Sequence, residues 1–135
     1  SVARKVAKRM REIRAKRERG QALVEFAMVL PVLILLVVGM MQFGLLFHEF
    51  LLVTHAAREG ARVATLGGSD AEIVAAVNAA AASPSDTDIM PASRVRGAQV
   101  TITVTKHVEL ITPLFSAMFP QNPVPISGTS IMRVE

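Results

Sequence analysis

One carboxylate, Glu25, stands at the mouth of an apolar run, five residues beyond Gly20 and the end of a basic tract. From Phe26 to Phe47 there is no ionisable side chain, and Gln42 is the one amide. A carboxylate at a membrane boundary is costly unless a cation or hydrogen-bond donor meets it, so pairing is the functional reading of Glu25. The plain alternative is an acid at a helix N-terminus, favoured by the helix dipole and reaching back to the lipid headgroups. On these residues alone the two readings stand level.

The remaining groups with chemical potential are scattered. His48 and Glu49 follow the apolar run, His55 and Glu59 are four residues apart, and His107 stands alone in a β-patterned stretch. A metal site needs more converging ligands than these provide, so the histidines read as solvated or interfacial. Arg58, Glu59 and Arg62 can form an exposed ion-pair set or a docking surface, worth under about 1 kcal/mol if the former. The chain lacks cysteine, which excludes disulfides, thiolate chemistry and Cys-based metal sites. It shows no nucleophile motif, phosphate loop, paired-carboxylate signature or cofactor fingerprint. The reading is a non-enzymatic protein with no cofactor and no metal.

The elements that position Glu25 follow from hydropathy and charge. At about 1.5 Å per residue, Phe26–Phe47 extends about 33 Å, enough for a hydrocarbon core of about 30 Å. Residues 1–19 carry nine Lys or Arg against two acids, a net of +7, whereas the rest of the chain nets −3. That asymmetry predicts a cytoplasmic N-terminus and a C-terminal portion on the periplasmic or extracellular side of the inner membrane. The basic tract also attracts anionic lipid, at about 1 kcal/mol per residue near the surface. Nucleic acid is disfavoured as a partner, because no Trp or Tyr is present for stacking and no motif accompanies the charge. A first residue of Ser fits removal of an initiator Met, so the basic tract reads as a natural N-terminus.

Val2, Val6, Met10 and Ile13 form a narrow apolar stripe, which predicts a short amphipathic helix at the membrane surface, ended by Gly20. The apolar helix begins near Gln21. Pro31 removes one backbone hydrogen bond and predicts a kink, while Gly39 and Gly44 leave smooth patches for another helix. A stem continues from His48 to about Leu66, with Ala56, Ala57, Gly60, Ala61 and Ala64 as a small-residue packing face, and Gly67-Gly68 ends it. Ser69-Asp70-Ala71-Glu72 is a capping box opening a helix to about Ala82, with Ile73, Val74 and Val77 inward. Residues 83–97 read as a polar loop. Residues 98–111 alternate β-branched apolar residues with threonine, as a strand does, and residues 126–134 supply an antiparallel partner. Leu114, Phe115, Met118 and Phe119 form an apolar knot between prolines. The expected class is therefore α+β: one transmembrane helix extending into a stem, then a small domain with one short helix and a strand pair. Three regions are expected, a basic leader (1–20), the transmembrane helix (21–52), and the stem with its extracytoplasmic domain (53–135).

A basic leader, a glycine, and an apolar helix with Glu at its fifth position resemble a type IV pilin-like signal. Gly20-Gln-Ala-Leu-Val-Glu-Phe-Ala, Val29-Leu-Pro31 and Ala56-Ala-Arg58-Glu-Gly60-Ala-Arg62 together resemble the TadE/TadG-like family, minor pseudopilins of tight-adherence pilus systems. Thr112-Pro-Leu-Phe and Met132-Arg-Val-Glu135 extend the likeness to the C-terminus. The resemblance implies that a membrane-embedded prepilin peptidase cuts the Gly20–Gln21 bond, and that Glu25 then pairs with the new amine of a neighbouring subunit. Gln42 departs from the family pattern, in which an acid often stands at that place. Pilin-like subunits, membrane lipids and the peptidase are the partners implied. A second reading comes from a different class: a single-span accessory or structural subunit of a large membrane complex, such as an energy-converting assembly. An outward-facing adhesion module is a third.

Overall fold

The structure is a computed structural model that describes residues 1–90 and 95–135, the side chains of Leu114 and Phe115 apart. The chain divides into two compact units, Ser1–Met41 and Gln42–Glu135.

The first unit is helical from Val2 onward, as part of helix α1 (Val2–Thr65). The helix does not stop at Gly20, contrary to the sequence expectation. A single glycine costs about 1 kcal/mol against alanine, whereas ending and restarting a helix requires a new, costly nucleus. Good helix formers on both sides, Arg17-Glu18-Arg19 and Gln21-Ala22-Leu23, carry the helix through. It also stays helical through Pro31. Among the described residues, α1 holds the one stretch long and apolar enough to cross a membrane, and none of that stretch is buried in the protein.

The second unit begins with the last turns of α1 and adds α2 (Asp70–Ala80), β1 (Asp86–Met90), β2 (Gln99–Val108), α3 (Pro113–Met118) and β3 (Val124–Arg133). The three strands form one antiparallel sheet in the order β1-β2-β3. Asp86 pairs with Thr105 across β1 and β2, and Gln99 with Arg133 and Val108 with Val124 across β2 and β3. The fold class is α+β with a single candidate transmembrane helix, but the sheet has three strands where the sequence suggested a pair. The extra strand, β1, lies within the stretch read as a polar loop; Pro91–Arg94 of that stretch lie outside the described residues. Its register places Thr87 and Ile89 on the same face as Val104 and Ile102, leaving Asp86 and Asp88 in solvent. Edge strands commonly carry such charges, which deter pairing with other chains and also disguise the strand.

The core lies between the sheet and the two helices. Val53, Ala56, Ala57, Ala61 and Ala64 of α1, Ile73 and Val77 of α2, and Val100, Ile102 and Val104 of β2 are all fully buried. The spacing of the α1 residues keeps them on one helical face, and the period-2 alternation of β2 does the same for the sheet. Small residues let the backbones approach. A Cβ on Gly60 would lie 2.6 Å from Val77 Cγ2 and 3.3 Å from Ile102 Cγ2, and one on Gly128 would lie 2.7 Å from the Thr54 backbone.

Local chemistry sets the helix ends. Gly68 N–H donates to Val63 O and Gly67 N–H to Ala64 O, a Schellman arrangement that needs the positive φ of 81° at Gly67. The Ser69–Glu72 capping box is formed in both directions: Glu72 N–H donates to Ser69 Oγ, and Glu72 Oε2 accepts from Ser69 N–H at 2.7 Å. The Ser69 N–H bond to this carboxylate, and then that from Ser69 Oγ to Oε2 at 3.1 Å, hold the Glu72 carboxyl below its ordinary pKa of 4.5. Helix α3 stands where an apolar knot was expected. Met118 and Phe119 are exposed instead, and the Leu114 and Phe115 side chains lie outside the described residues.

Candidate functional site

Gly20 and the adjacent Gln21 lie about one turn before Glu25 on α1, all exposed. Gly20 has open space around it, with nothing within 4 Å of where a Cβ would stand. Gln21 and Glu25 are four apart, hence neighbours on the helix surface, and Gln21 Nε2 donates to Glu25 Oε1 at 3.0 Å. That amide is the partner Glu25 has among the described residues. A neutral amide leaves the negative charge uncompensated, and the adjoining surface is apolar, with Leu23, Val24 and Phe26 all exposed. An added cation at this point would therefore gain a charge-assisted hydrogen bond, stronger than the neutral–anion contact it replaces.

The residues expected to pack against other helices divide into two sets. Pro31 and Gly44 are exposed, and nothing lies within 4 Å of a Cβ built on Gly44; Gly39 is half-buried. Ala57, Gly60 and Ala61 are buried inside the second unit, where the small face of the stem receives α2 and β2 of its own chain. Gln42 is buried too, at 8% exposure, and its Oε1 has no hydrogen-bond partner among the described residues.

On the stem, Arg62 Nε and Nη2 both donate to the Glu59 carboxylate, the shortest contact being 2.6 Å. Arg62's hydrogen bonds hold Glu59 below the usual carboxylate range, and Glu59 pushes Arg62 up in turn. Both ends are solvated, so this pair contributes little to stability. Arg58, His48 and His55 are exposed, and His107 Nδ1 lies 3.8 Å from Asp86 Oδ2 on the sheet.

One pairing was not foreseen from sequence. Lys106 Nζ of β2 donates to Glu49 Oε2 of α1 at 2.7 Å, with the two side chains only 20% and 23% exposed. The residues are 57 apart in sequence, and no local spacing signals a pair at that range. Lys106 replaces an apolar residue in the inward-facing row of β2, and that break in the alternation was the available sign. Lys106→Met should cost about 1–3 kcal/mol, because it strands a mostly buried carboxylate. Glu49→Gln added to it should recover part of the loss; a double-mutant cycle read by hydrogen exchange in β2 checks the coupling.

Residues 20–62 match the family model for TadE-like protein. The match spans about a third of the chain. It covers the glycine, the carboxylate, the whole apolar run and the stem to Arg62; the C-terminal motifs that resemble the family lie outside it. No curated protein and no solved structure matches the chain.

Proposed function

We propose that this single-pass, TadE-like chain is a minor pseudopilin acting in assembly of a Tad-type pilus. The observation that carries the reading is the coincidence, within the matched residues, of Gly20, an exposed Glu25 and the start of the apolar run. In this reading residues 21–52 sit in the bacterial inner membrane, the basic leader faces the cytoplasm, and residues 53–135 form the extracytoplasmic portion. The charge asymmetry supports that orientation.

Hydrolysis of the Gly20–Gln21 amide would release the leader and leave an α-ammonium on Gln21. Proteases act on extended backbone, so a prepilin peptidase must first unwind α1 locally. Gly20 is the weakest helical position in its neighbourhood and suits that requirement. The new ammonium of one subunit is then the cation that Glu25 of the next lacks, and pairing in a low-dielectric setting supplies both attraction and register.

In a second reading the leader is retained, with α1 continuous through Gly20–Gln21, and the chain is an accessory subunit of a larger membrane complex. The intact mass of the chain extracted from its native membrane separates them. A mature chain beginning at Gln21 is expected. A chain that keeps its leader within a stoichiometric complex would overturn the pseudopilin reading and favour the second.

A further inference from the structure

Strand β2 descends along α1 toward the apolar run. Ile102 lies against Gly60, Gly128 (the partner of Val104) lies against Val53 and Thr54, and Lys106 reaches Glu49. Two strand residues advance about 6.6 Å, close to the rise of four to five helical residues. Continuing that descent brings the Val108–Val124 end of the hairpin beside about residues 44–45. Leu110, just beyond β2, and Gln42, near the end of the apolar run, are both buried, at 6% and 8% exposure. The loop that closes this end of the hairpin, residues 109–123, therefore sits beside the last turns of the apolar run.

Charge thins out toward the same end of both elements. The Glu49–Lys106 pair and His48 mark the boundary; on α1 no ionisable residue occurs from Phe26 to Phe47, and past Glu109 none occurs from Leu110 to Met132. Within the loop Ile111, Met118 and Phe119 are 84%, 72% and 43% exposed, and the neighbouring α1 surface exposes Phe43, Leu45 and Phe47. The loop's backbone is suited to an environment poor in water. Pro113, Pro120 and Pro123 bring no N–H, Leu110 N–H donates to Asn122 Oδ1, and Ser116 donates from N–H to Thr112 O and from Oγ to Pro113 O.

We propose that the 109–123 loop is a second membrane contact, seated shallowly in the outer leaflet beside α1, with Ile111, Met118 and Phe119 in the acyl–headgroup region. The occupant is lipid because the loop from Leu110 onward exposes apolar side chains and no charge, and lies past the Lys106–Glu49 pair on the side where α1 exposes Phe43, Leu45 and Phe47. The proposal rests on α1 being the membrane span. It makes Gln42 a residue at bilayer depth shielded by its own domain, where a neutral amide is far cheaper than an ionised acid. It also fixes the domain to the membrane at two points.

The absence of native cysteine permits single-site labelling. The full chain, carrying an environment-sensitive fluorophore at Ile111→Cys, Met118→Cys, Leu36→Cys or Ser127→Cys, is reconstituted in phosphatidylcholine–phosphatidylglycerol vesicles with nitroxide lipids. Expected are blue-shifted emission and at least twofold quenching at Ile111, Met118 and Leu36, with a shallow nitroxide the better quencher for the two loop sites. Ser127, on the outer sheet face, should remain unquenched. Quenching at Leu36 alone overturns the loop contact and leaves the span standing. No quenching at Leu36 overturns the span, and the loop contact with it. Blue-shifted but unquenched loop sites would mean cover by protein, such as a second copy, and would also overturn the proposal.

Discussion

Replacing Gly128 with alanine is expected to destabilise the unit Gln42–Glu135 by about 3 kcal/mol, at the upper end of ordinary overpacking costs. The added Cβ would stand 2.7 Å from both Cα and N of Thr54 and 2.8 Å from C of Val53. All three are backbone atoms of a helix, which cannot rotate aside as a side chain can. The strand must lift from the helix, and with it the Val104 row that it pairs with. Gly60→Ala is the informative comparison, because its closest neighbour is a terminal methyl, Val77 Cγ2, at 2.6 Å. A rotamer change relieves part of that clash, and alanine's better helix propensity returns up to about 1 kcal/mol. The cost at Gly60 should therefore be about 1–2 kcal/mol. Hydrogen exchange of the β2 amides in the detergent-solubilised chain reads both; Gly128→Ala should speed exchange roughly a hundredfold, since each 1.4 kcal/mol is a factor of ten. Equal, small effects at both positions would show that the sheet does not rest on the α1 backbone at Thr54.

The same two glycines show where sequence reading meets its limit. The apolar run, the capping box at Ser69–Glu72 and the alternation of β2 depend on neighbours within about eight residues, and each was legible. So was the α+β class, since it follows from the order of such elements. Gly60 and Gly128 could be marked as small, but not paired with Val77 and Thr54, because those distances are set by how the sheet seats on the helix. The Glu49–Lys106 pair was hidden for the same reason: each partner is unremarkable locally. β1 was missed through its exposed edge, where Asp86 and Asp88 make the composition look like a loop although Thr87 and Ile89 face inward. Gly20 misled in the opposite direction. Read as punctuation, it is a weak point inside a continuing helix, because its local cost is smaller than the cost of ending α1 there.

That weak point and Glu25 are expected to fail separately, which gives the pseudopilin reading its strongest test. Glu25→Ala should abolish pilus assembly while the chain still reaches the membrane at normal abundance, since α1 loses only an exposed side chain bonded to Gln21. The charge-assisted pair it would make with a neighbour's ammonium is worth about 2 kcal/mol, or roughly thirtyfold in subunit association. Glu25→Gln separates the two meanings of this carboxylate. If Glu25 only caps the helix dipole or reaches for headgroups, glutamine should leave pili nearly normal; if it pairs with an ammonium, glutamine should fail almost as fully as alanine. Gly20→Ala acts one step earlier. It raises local helix stability by about 1 kcal/mol, lowering the opened fraction about fivefold, and places a Cβ beside the bond to be cut. The leader should then persist on the chain, visible as a mass increase, and no pili should form. Glu25→Ala should show the mature mass with the same loss of pili, because cutting depends on the opened backbone at Gly20 and not on the carboxylate. Normal piliation in both variants would remove Gly20 and Glu25 from any role in assembly and leave the exposed carboxylate as a helix-end charge.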